Sequence, residues 1–268
     1  MNSIQISIEA NEEHQEILIS QLSDLGAEGF EQTNDYLIAY FNESVFKSYV
    51  VNDLLKGYVF TTKTIGEKNW NAEWESNFQP VVVDNFCAIR AEFHEPIRDV
   101  EHEIIITPKM SFGTGHHATT YMMIEQMKDI DFNNKTVFDF GTGTGILSIL
   151  AEKLGASKIE AIDVDDWSIA NAKENIERNN CTKVSVNLSS QIPHNSFDII
   201  LANINRNVIL NYVSQLNKSL NQNGKLLLSG LLTSDEKIIV EAFGGESFQF
   251  IKRTERNNWI SLLFIKAI

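Results

Sequence analysis

The second half of the chain alternates apolar strands with helices, and this alternation constrains the fold more than any other feature. From Lys135 onward most strand patterns are followed by a helical pattern, and the run "FDIILANI" is apolar almost throughout. Such alternation predicts a doubly wound α/β sheet with the continuous apolar strand at its buried centre. The last two strands, 247–253 and 258–266, lie too close in sequence for a parallel crossover, so we expect an antiparallel hairpin.

The first 65 residues show a different pattern, with six short elements and no glycine-rich loop. Alternating isoleucines at 4, 6 and 8 indicate a strand. The remaining patterns are helices at 12–25 and 43–55 and strands at 27–31, 35–41 and 58–65. The order β-α-β-β-α-β predicts a small α+β domain of the ferredoxin-like kind. Such folds host many functions, so the order alone predicts no activity.

A polar segment at 66–80 separates these two patterns. Its aromatic residues Trp70, Trp74 and Phe78 share one helical face, which predicts a helical connector docked onto a neighbouring domain. Short strand patterns follow at 81–83, 86–93 and 104–107. We therefore expect three parts, which are a domain at 1–65, a connector at 66–80 and a larger domain at 81–268.

The charge balance restricts the partners. The chain carries 36 acidic and 22 basic residues, a formal net charge of −14, which argues against direct binding to a nucleic-acid backbone and suits a basic protein partner. Cys87 and Cys181 fit no metal spacing and are expected to be unpaired thiols. We find no signal-peptide pattern and no apolar run of membrane-spanning length, so we expect a cytoplasmic protein without a membrane partner. The oligomeric state is left open, with a monomer favoured.

The segment "DFGTGTG" (139–145) joins the first strand of the predicted sheet to a helix. Gly141, Gly143 and Gly145 allow tight turning and close approach of the backbone to a ligand. The carboxyl ends of the strands are where open α/β sheets bind ligands. The next strand ends at Asp163, whose carboxylate can accept hydrogen bonds from the ribose hydroxyls of an adenosine.

Two cofactor classes share these features. A dinucleotide loop spaces its glycines G-x-G-x-x-G, whereas Ile146 stands here in place of the third glycine. Asp139 would repel a pyrophosphate and attract a cationic amino-acid group such as that of S-adenosylmethionine. Spacing and charge favour S-adenosylmethionine, and an NAD-dependent dehydrogenase is the weaker alternative.

A second glycine-rich segment, "FGTGHHATT" (112–120), precedes the sheet and leads into the helical pattern "ATTYMMIEQM". Its threonines can cap that helix. Adjacent histidines without a carboxylate or cysteine at ligand spacing make a poor metal site. We therefore predict a flap at 105–120 that folds onto the cofactor, and no metal.

The segment "ANIN" (202–205) ends the central strand. The side-chain oxygen of Asn203 can hold the hydrogens of an acceptor amine and so aim the nitrogen lone pair at a methyl group. Asn203 can instead cap the following helix. Residues alone do not decide between these two roles.

Together these segments resemble the bacterial ribosomal protein L11 methyltransferases over nearly the whole chain. The resemblance is carried by "NWNAEWESNFQP", "SFGTGHHATT", "VFDFGTGTGILSILAEKLGA", "AIDVD" and "ANI". It implies a seven-stranded Rossmann-like methyltransferase sheet preceded by a small domain that recognises the substrate. It also implies methylation, with S-adenosylmethionine, of lysines and the α-amine of ribosomal protein L11.

The family's cofactor contacts carry over to Thr120, Gly141, Asp163 and Asn203, with Asn203 orienting the acceptor. The sequence departs from the family at Thr107, Lys109, His116, Ala118, Asn205 and Arg206. These departures leave the cofactor residues in place and the acceptor open. The alternatives are a methyltransferase for a different protein, a small amine or RNA, and a non-catalytic docking module.

Overall fold

The computed structural model describes residues 3–33, 35–65, 79–107, 115–244 and 247–267. The chain divides into two compact units, an N-terminal unit at Met1–Asn77 and a C-terminal unit at Phe78–Ile268. The predicted connector lies outside the described residues except for its last two positions, and so does the centre of the predicted flap, 108–114. Within the described ranges, no helix is long and apolar enough to cross a membrane.

The N-terminal unit contains the six elements in the predicted order. They are β1 (Ser3–Glu9), α1 (Glu12–Asp24), β2 (Ala27–Gln32), β3 (Tyr36–Asn42), α2 (Ser48–Leu54) and β4 (Phe60–Ile65). The strands form one antiparallel sheet in the order β2-β3-β1-β4. Helix α2 begins later than predicted, because Asn42 accepts the Ser44 N–H with its side chain and starts a turn.

Alternation along β1 places its isoleucines on the face that the helices cover. Ile6 and Ile8 are fully buried, and they pack with Leu18 and Leu22 of α1. Burying each such side chain contributes roughly 1.5–3 kcal/mol, so this stripe supplies much of the core of a small unit. The residues between them, such as Gln5, lie on the opposite, polar face.

The C-terminal unit begins with three short strands and then alternates strands with helices. The elements are β5 (Val81–Val83), β6 (Cys87–Ala91), β7 (His102–Ile106), α3 (Ala118–Met127), β8 (Thr136–Phe140), α4 (Ile146–Lys153), β9 (Lys158–Asp163), α5 (Asp166–Arg178), β10 (Val184–Leu188), β11 (Phe197–Asn203), α6 (Arg206–Ser219), β12 (Leu220–Leu232), α7 (Glu236–Phe243), β13 (Phe248–Arg256) and β14 (Trp259–Lys266). A single 3₁₀ turn, Thr233–Asp235, precedes α7. The first three strands form a sheet of their own, in the order β5-β6-β7.

The main sheet has seven strands in the order β10-β9-β8-β11-β12-β14-β13. The first five strands in this order, β10, β9, β8, β11 and β12, are parallel. Strand β14 runs antiparallel to both of its neighbours, β12 and β13. The predicted α/β sheet, the central position of β11 and the final hairpin are all confirmed. The hairpin turns at Asn257 and Asn258, both at positive φ, a conformation that asparagine tolerates better than most residues.

Helices cover both faces of this sheet. Helices α6 and α7 pack on the face that carries Phe138 and Phe140, whereas α3, α4 and α5 pack together on the other face. Because successive strand residues point to opposite faces, Asp139 points toward α4. The polar residues at the carboxyl ends of the strands therefore gather on the side of α3, α4 and α5.

Candidate functional site

The loop between β8 and α4 turns through three glycines. Gly141, Gly143 and Gly145 have φ of 75°, 55° and 81°, a region that residues with a Cβ rarely adopt. A Cβ on Gly141 would also lie 2.3 Å from Cγ2 of Ile204, and one on Gly145 would lie 3.3 Å from Cβ of Ala172. The loop therefore needs glycine for its conformation and for the space around it.

Asp139 is fully buried at the start of this loop. Its Oδ2 accepts hydrogen bonds from Thr142 Oγ1 and Ser148 Oγ, each at 2.7 Å. Its Oδ1 is buried and has no hydrogen-bond partner within the described part of the chain. Burial raises the pKa of this carboxyl to about 6, although the two hydroxyls act in the opposite direction. A cationic group beside Oδ1 would pair this oxygen and stabilise the ionised form.

Asp163 ends β9 and holds the loop from the other side. Its Oδ2 accepts the N–H of Gly143 at 2.9 Å, and its Oδ1 accepts the N–H groups of Val164 at 2.8 Å and Asp165 at 3.1 Å. A carboxylate offers about four acceptor positions, so one position on Oδ2 remains for a ligand. Asp163 therefore shapes the loop, a role that the sequence did not reveal, while its contact with a ligand stays a prediction.

Exposed apolar residues follow Asp163 in the chain and pair with it in the sheet. Val164 and Trp167 are 70% and 77% exposed, and Leu188, which pairs with Asp163 in the parallel register, is 51% exposed. Apolar surface beside a carboxylate suits a ligand with a flat base joined to a sugar. The sequence carried a signal for this apolar surface, because Val164 directly follows β9 and Leu188 ends the neighbouring strand β10.

Asn203 is the last residue of β11. Ala202 lies opposite Phe140 in the register, so Asn203 is level with Gly141. Its Nδ2 donates to Thr120 Oγ1 at 3.3 Å, and its Oδ1 is buried without a hydrogen-bond partner among the described residues. The donor to Thr120 fixes the orientation of the amide, which leaves the carbonyl oxygen to accept from another group.

The cap of α6 is a different asparagine. Asn205 accepts the N–H of Val208 at 3.1 Å and forms the N-cap. The interpretation of Asn203 as a helix cap is therefore wrong. The next residue, Arg206, pairs at 2.8 Å with the buried carboxylate of Asp235, which ties the start of α6 to the segment before α7.

Thr120 lies buried in the first turn of α3, and the helix is capped by a histidine. The side chain of His117 accepts the N–H of Thr119 at 3.3 Å, so the prediction that the threonines cap this helix is wrong. Both threonines lie within the first turn of α3, so the N-cap position falls on His117, whose ring nitrogen accepts the hydrogen bond. Thr120 is thereby free to contact Asn203.

The paired histidines fix the start of α3. The ring of His117 packs edge-on against Trp259, with ring centroids 4.7 Å apart, and His116 Nε2 lies 2.8 Å from the carbonyl oxygen of Gln79. Among the residues the structure covers, no group of three or more metal-ligating side chains occurs. Cys87 and Cys181 are both unpaired, and burial raises their thiol pKa values to about 12 and about 11.

Ile204 is a residue of the site that the sequence analysis did not predict. In the fold it packs against Gly141 on one side and Gly230 on the other. Its Cγ2 fills the space over Gly141, and a Cβ on Gly230 would lie 2.3 Å from the Ile204 carbonyl oxygen. Gly230 has φ of 78°. The residue after Asn203 is therefore held tightly on both sides, which limits the movement of Asn203.

Comparison with known proteins gives one family over the whole chain. The family model described as ribosomal protein L11 methyltransferase (PrmA) matches residues 2–267. A protein of that name from Porphyromonas gingivalis is 38% identical and covers 93% of this chain and 90% of its own, and one from Phocaeicola vulgatus is 34% identical, with 95% of both covered. The crystal structure of a ribosomal protein L11 methylase from Lactobacillus delbrueckii subsp. bulgaricus has a TM-score of 0.65 and 28% identity, and covers 71% of this chain and 99% of its own.

Proposed function

Because the chain belongs to the ribosomal protein L11 methyltransferase family, we propose that it transfers methyl groups from S-adenosylmethionine to amino groups of ribosomal protein L11. The proposed acceptors are lysine side chains and the N-terminal α-amine, and the proposed setting is the cytoplasm, where ribosomal proteins are made. The observation that carries this proposal is the Oδ1 of Asn203 at the end of the central strand, level with the glycine loop. This oxygen is buried and has no hydrogen-bond partner in the part of the chain that the structure describes.

The polar groups of the site fit S-adenosylmethionine, which supplies a methyl group on a positively charged sulfur. Asp139 Oδ1 would pair with the cationic amino-acid part, and the remaining position on Asp163 Oδ2 would accept a ribose hydroxyl. Val164 and Leu188 offer the apolar surface that an adenine ring requires. Each of these groups lies at the carboxyl ends of the strands, where α/β sheets bind ligands.

The contribution of the protein to the reaction is orientation. Thr120 Oγ1 holds the Nδ2 group of Asn203, so Oδ1 is presented to an N–H of the acceptor amine. Fixing an acceptor nitrogen in line with a reactive group can supply several kcal/mol of rate enhancement. A lysine amine has an ordinary pKa of about 10.4 and must be neutral to react, and an apolar, water-poor pocket favours its neutral form.

For the N-terminal unit we propose a ferredoxin-like fold that recognises the substrate protein. The strand order β2-β3-β1-β4 supports this fold. Residues 1–65 carry ten acidic residues, three lysines and no arginine, a formal charge of −7. This charge suits a basic protein and disfavours direct contact with nucleic acid.

A cavity of about 690 Å³ on this unit supports the same role. It is lined by Glu9, Ala10, Asn11, His14, Asp35, Tyr36, Lys56, Gly57, Tyr58 and Val59. Tyr36 donates its hydroxyl to Glu9 Oε1 at 3.2 Å, and the charges of Glu9 and, to a smaller extent, Asp35 raise the pKa of Tyr36. Both carboxylates therefore act beside one aromatic ring, a combination that suits a lysine or arginine side chain.

The test is mass spectrometry of recombinant ribosomal protein L11 after incubation with the protein and isotope-labelled S-adenosylmethionine. We expect labelled methyl groups on lysine side chains and on the N-terminal amine. Wild-type protein that binds the cofactor but leaves ribosomal protein L11 unlabelled would contradict the substrate assignment. Label on another protein or on a small amine in a parallel incubation would then identify the alternative acceptor class.

A further inference from the structure

Three asparagines, two in α5 and one at its C-cap, point into the interior of the C-terminal unit. Asn171 and Asn175 are almost fully buried, and Asn179 is partly buried one turn further on. They lie four residues apart, on the face that also buries Ile169 and Ile176. Buried amides need hydrogen-bond partners, so this spacing indicates a polar structure on the facing side.

The facing structure is β7, one of the two edge strands of the three-stranded sheet, together with Thr107, the residue that follows it. Asn179 accepts the N–H of Ile105 at 3.0 Å and donates to the Ile105 carbonyl oxygen at 2.6 Å. One helical turn earlier, Asn175 accepts the N–H of Thr107 at 2.8 Å, and Asn171 donates to the Thr107 carbonyl oxygen at 3.4 Å. The asparagines thus satisfy the backbone groups of the strand edge.

The match follows from the geometry of the two elements. Four residues of a helix rise about 6 Å, and two residues of a strand rise about 6.6 Å. The step from Asn179 to Asn175 therefore matches the step from Ile105 to Thr107, and Asn171 reaches the carbonyl oxygen of the same Thr107. This correspondence explains why the same amide group recurs at intervals of four on α5.

Asn175 differs from Asn179 because it also reaches the glycine loop. Its Nδ2 donates to the Thr144 carbonyl oxygen at 2.9 Å and to Asn171 Oδ1 at 2.7 Å. Thr144 lies between Gly143, whose N–H binds Asp163, and Gly145, which packs against Ala172 of the same helix. A single side chain thus joins the strand β7, the helix α5 and the centre of the loop.

We propose that Asn175 is a positioning residue for the cofactor site, because it holds the Thr144 carbonyl and so fixes the conformation of the glycine loop. This inference rests on the proposed function, since it assumes that the loop binds S-adenosylmethionine. The hydrogen bond from the Thr107 N–H holds the side chain of Asn175 in place. The position of the glycine loop is therefore fixed relative to the three-stranded sheet. Asn179, the C-cap of the same helix, binds the backbone of the same strand with the same amide group and gives a matched control.

The experiment compares Asn175→Ala with Asn179→Ala in the full-length chain. Both variants lose buried hydrogen bonds, so thermal melting should show both to be destabilised. Titration calorimetry with S-adenosylmethionine should show the Kd of Asn175→Ala raised about tenfold or more, and that of Asn179→Ala nearly unchanged. At saturating cofactor, the kcat of Asn175→Ala should approach that of the wild type while its KM for cofactor stays high.

A second variant, Asn175→Asp, tests the same hydrogen bond with a smaller change of shape. It also takes the place of Asn175→Ala if the alanine variant does not fold. A carboxylate keeps the acceptor for the Thr107 N–H but faces the Thr144 carbonyl with no donor, so its Kd should rise at least as much. Equal cofactor Kd values for wild type, Asn175→Asp and Asn179→Ala would overturn the positioning role. Failure of the wild type itself to bind S-adenosylmethionine would instead overturn the proposed function.

Discussion

Buried polar side chains beside the glycine loop differ from a buried polar side chain of the N-terminal unit. In the C-terminal unit, Asp139 and Asn203 each bury an oxygen that lacks a hydrogen-bond partner within the described ranges. In the N-terminal unit, the buried Gln15 donates to the carbonyl oxygens of Ala10 and Thr33. An unpaired buried polar atom costs about 1–3 kcal/mol, and such atoms persist where a ligand or reaction uses them. The difference supports the proposal that the C-terminal unit carries the chemistry and the N-terminal unit recognises the substrate.

The largest effect of a single substitution is expected at Asn203. We expect Asn203→Ala to lower kcat by about a hundredfold, because the acceptor amine loses its orienting group, and to change cofactor affinity far less. Asn205→Ala is the control, since it removes the cap of α6 and should cost about 1 kcal/mol of stability without a comparable loss of kcat. Normal turnover by Asn203→Ala would refute the orienting role.

Asp163→Ala should weaken cofactor binding. Loss of a charge-assisted hydrogen bond to the ribose, together with the bond to Gly143 N–H, should cost roughly 1.5–3 kcal/mol, or about ten- to a hundredfold in affinity. Asp165→Ala removes the cap of α5 two residues later and should leave affinity close to the wild-type value. Calorimetry that gives the two folded variants equal Kd values would contradict the assignment.

Cofactor affinity should depend on pH through Asp139. Its pKa is raised to about 6 in the folded protein, so this group favours the folded state at low pH and loses that contribution as pH rises through about 6. The cationic cofactor needs the ionised form, so lowering the pH from 7 to 5 should weaken binding about tenfold. Asp139→Asn should bind more weakly at pH 7 and show little of this dependence. A flat wild-type profile would exclude a direct ion pair with Asp139.

The smallest effects are expected in the N-terminal unit. Glu9→Gln and Asp35→Asn should each raise the KM for ribosomal protein L11 about two- to fivefold at low salt, less at high salt, and leave cofactor Kd unchanged. Glu43→Gln removes one charge from the same unit outside the cavity and serves as the control. Three equal KM values would mean that only net charge, and not this cavity, matters.

The sequence could predict the sheet and the glycine loop because both depend on local patterns. The nearly continuous apolar run of β11 indicated its place at the centre of the sheet, and the short link between the last two strands required a hairpin. The wrong predictions arose where a neighbouring side chain bound the backbone in place of the expected one. Asn42 starts a turn that delays α2, and His117 takes the cap that was assigned to the threonines.

Contacts between elements distant in sequence could not be predicted in the same way. The link from Asn175 to Thr107 and Thr144 depends on which strand lies beside α5, which periodicity does not specify. Ile204 reads as an ordinary apolar residue, although its fit against Gly141 and Gly230 is what restrains Asn203. The asparagine spacing on α5 was visible in the sequence, but its meaning required the facing strand.

The division of labour between the two units is tested most directly by removing one of them. A fragment that begins near Asn69 retains Thr120, Gly141, Asp163 and Asn203. Thermal melting should show that it is folded, calorimetry should give it the S-adenosylmethionine affinity of the full chain, and mass spectrometry should show that methylation of ribosomal protein L11 is lost. A folded fragment that methylates ribosomal protein L11 at the full rate would contradict the recognition role of the N-terminal unit.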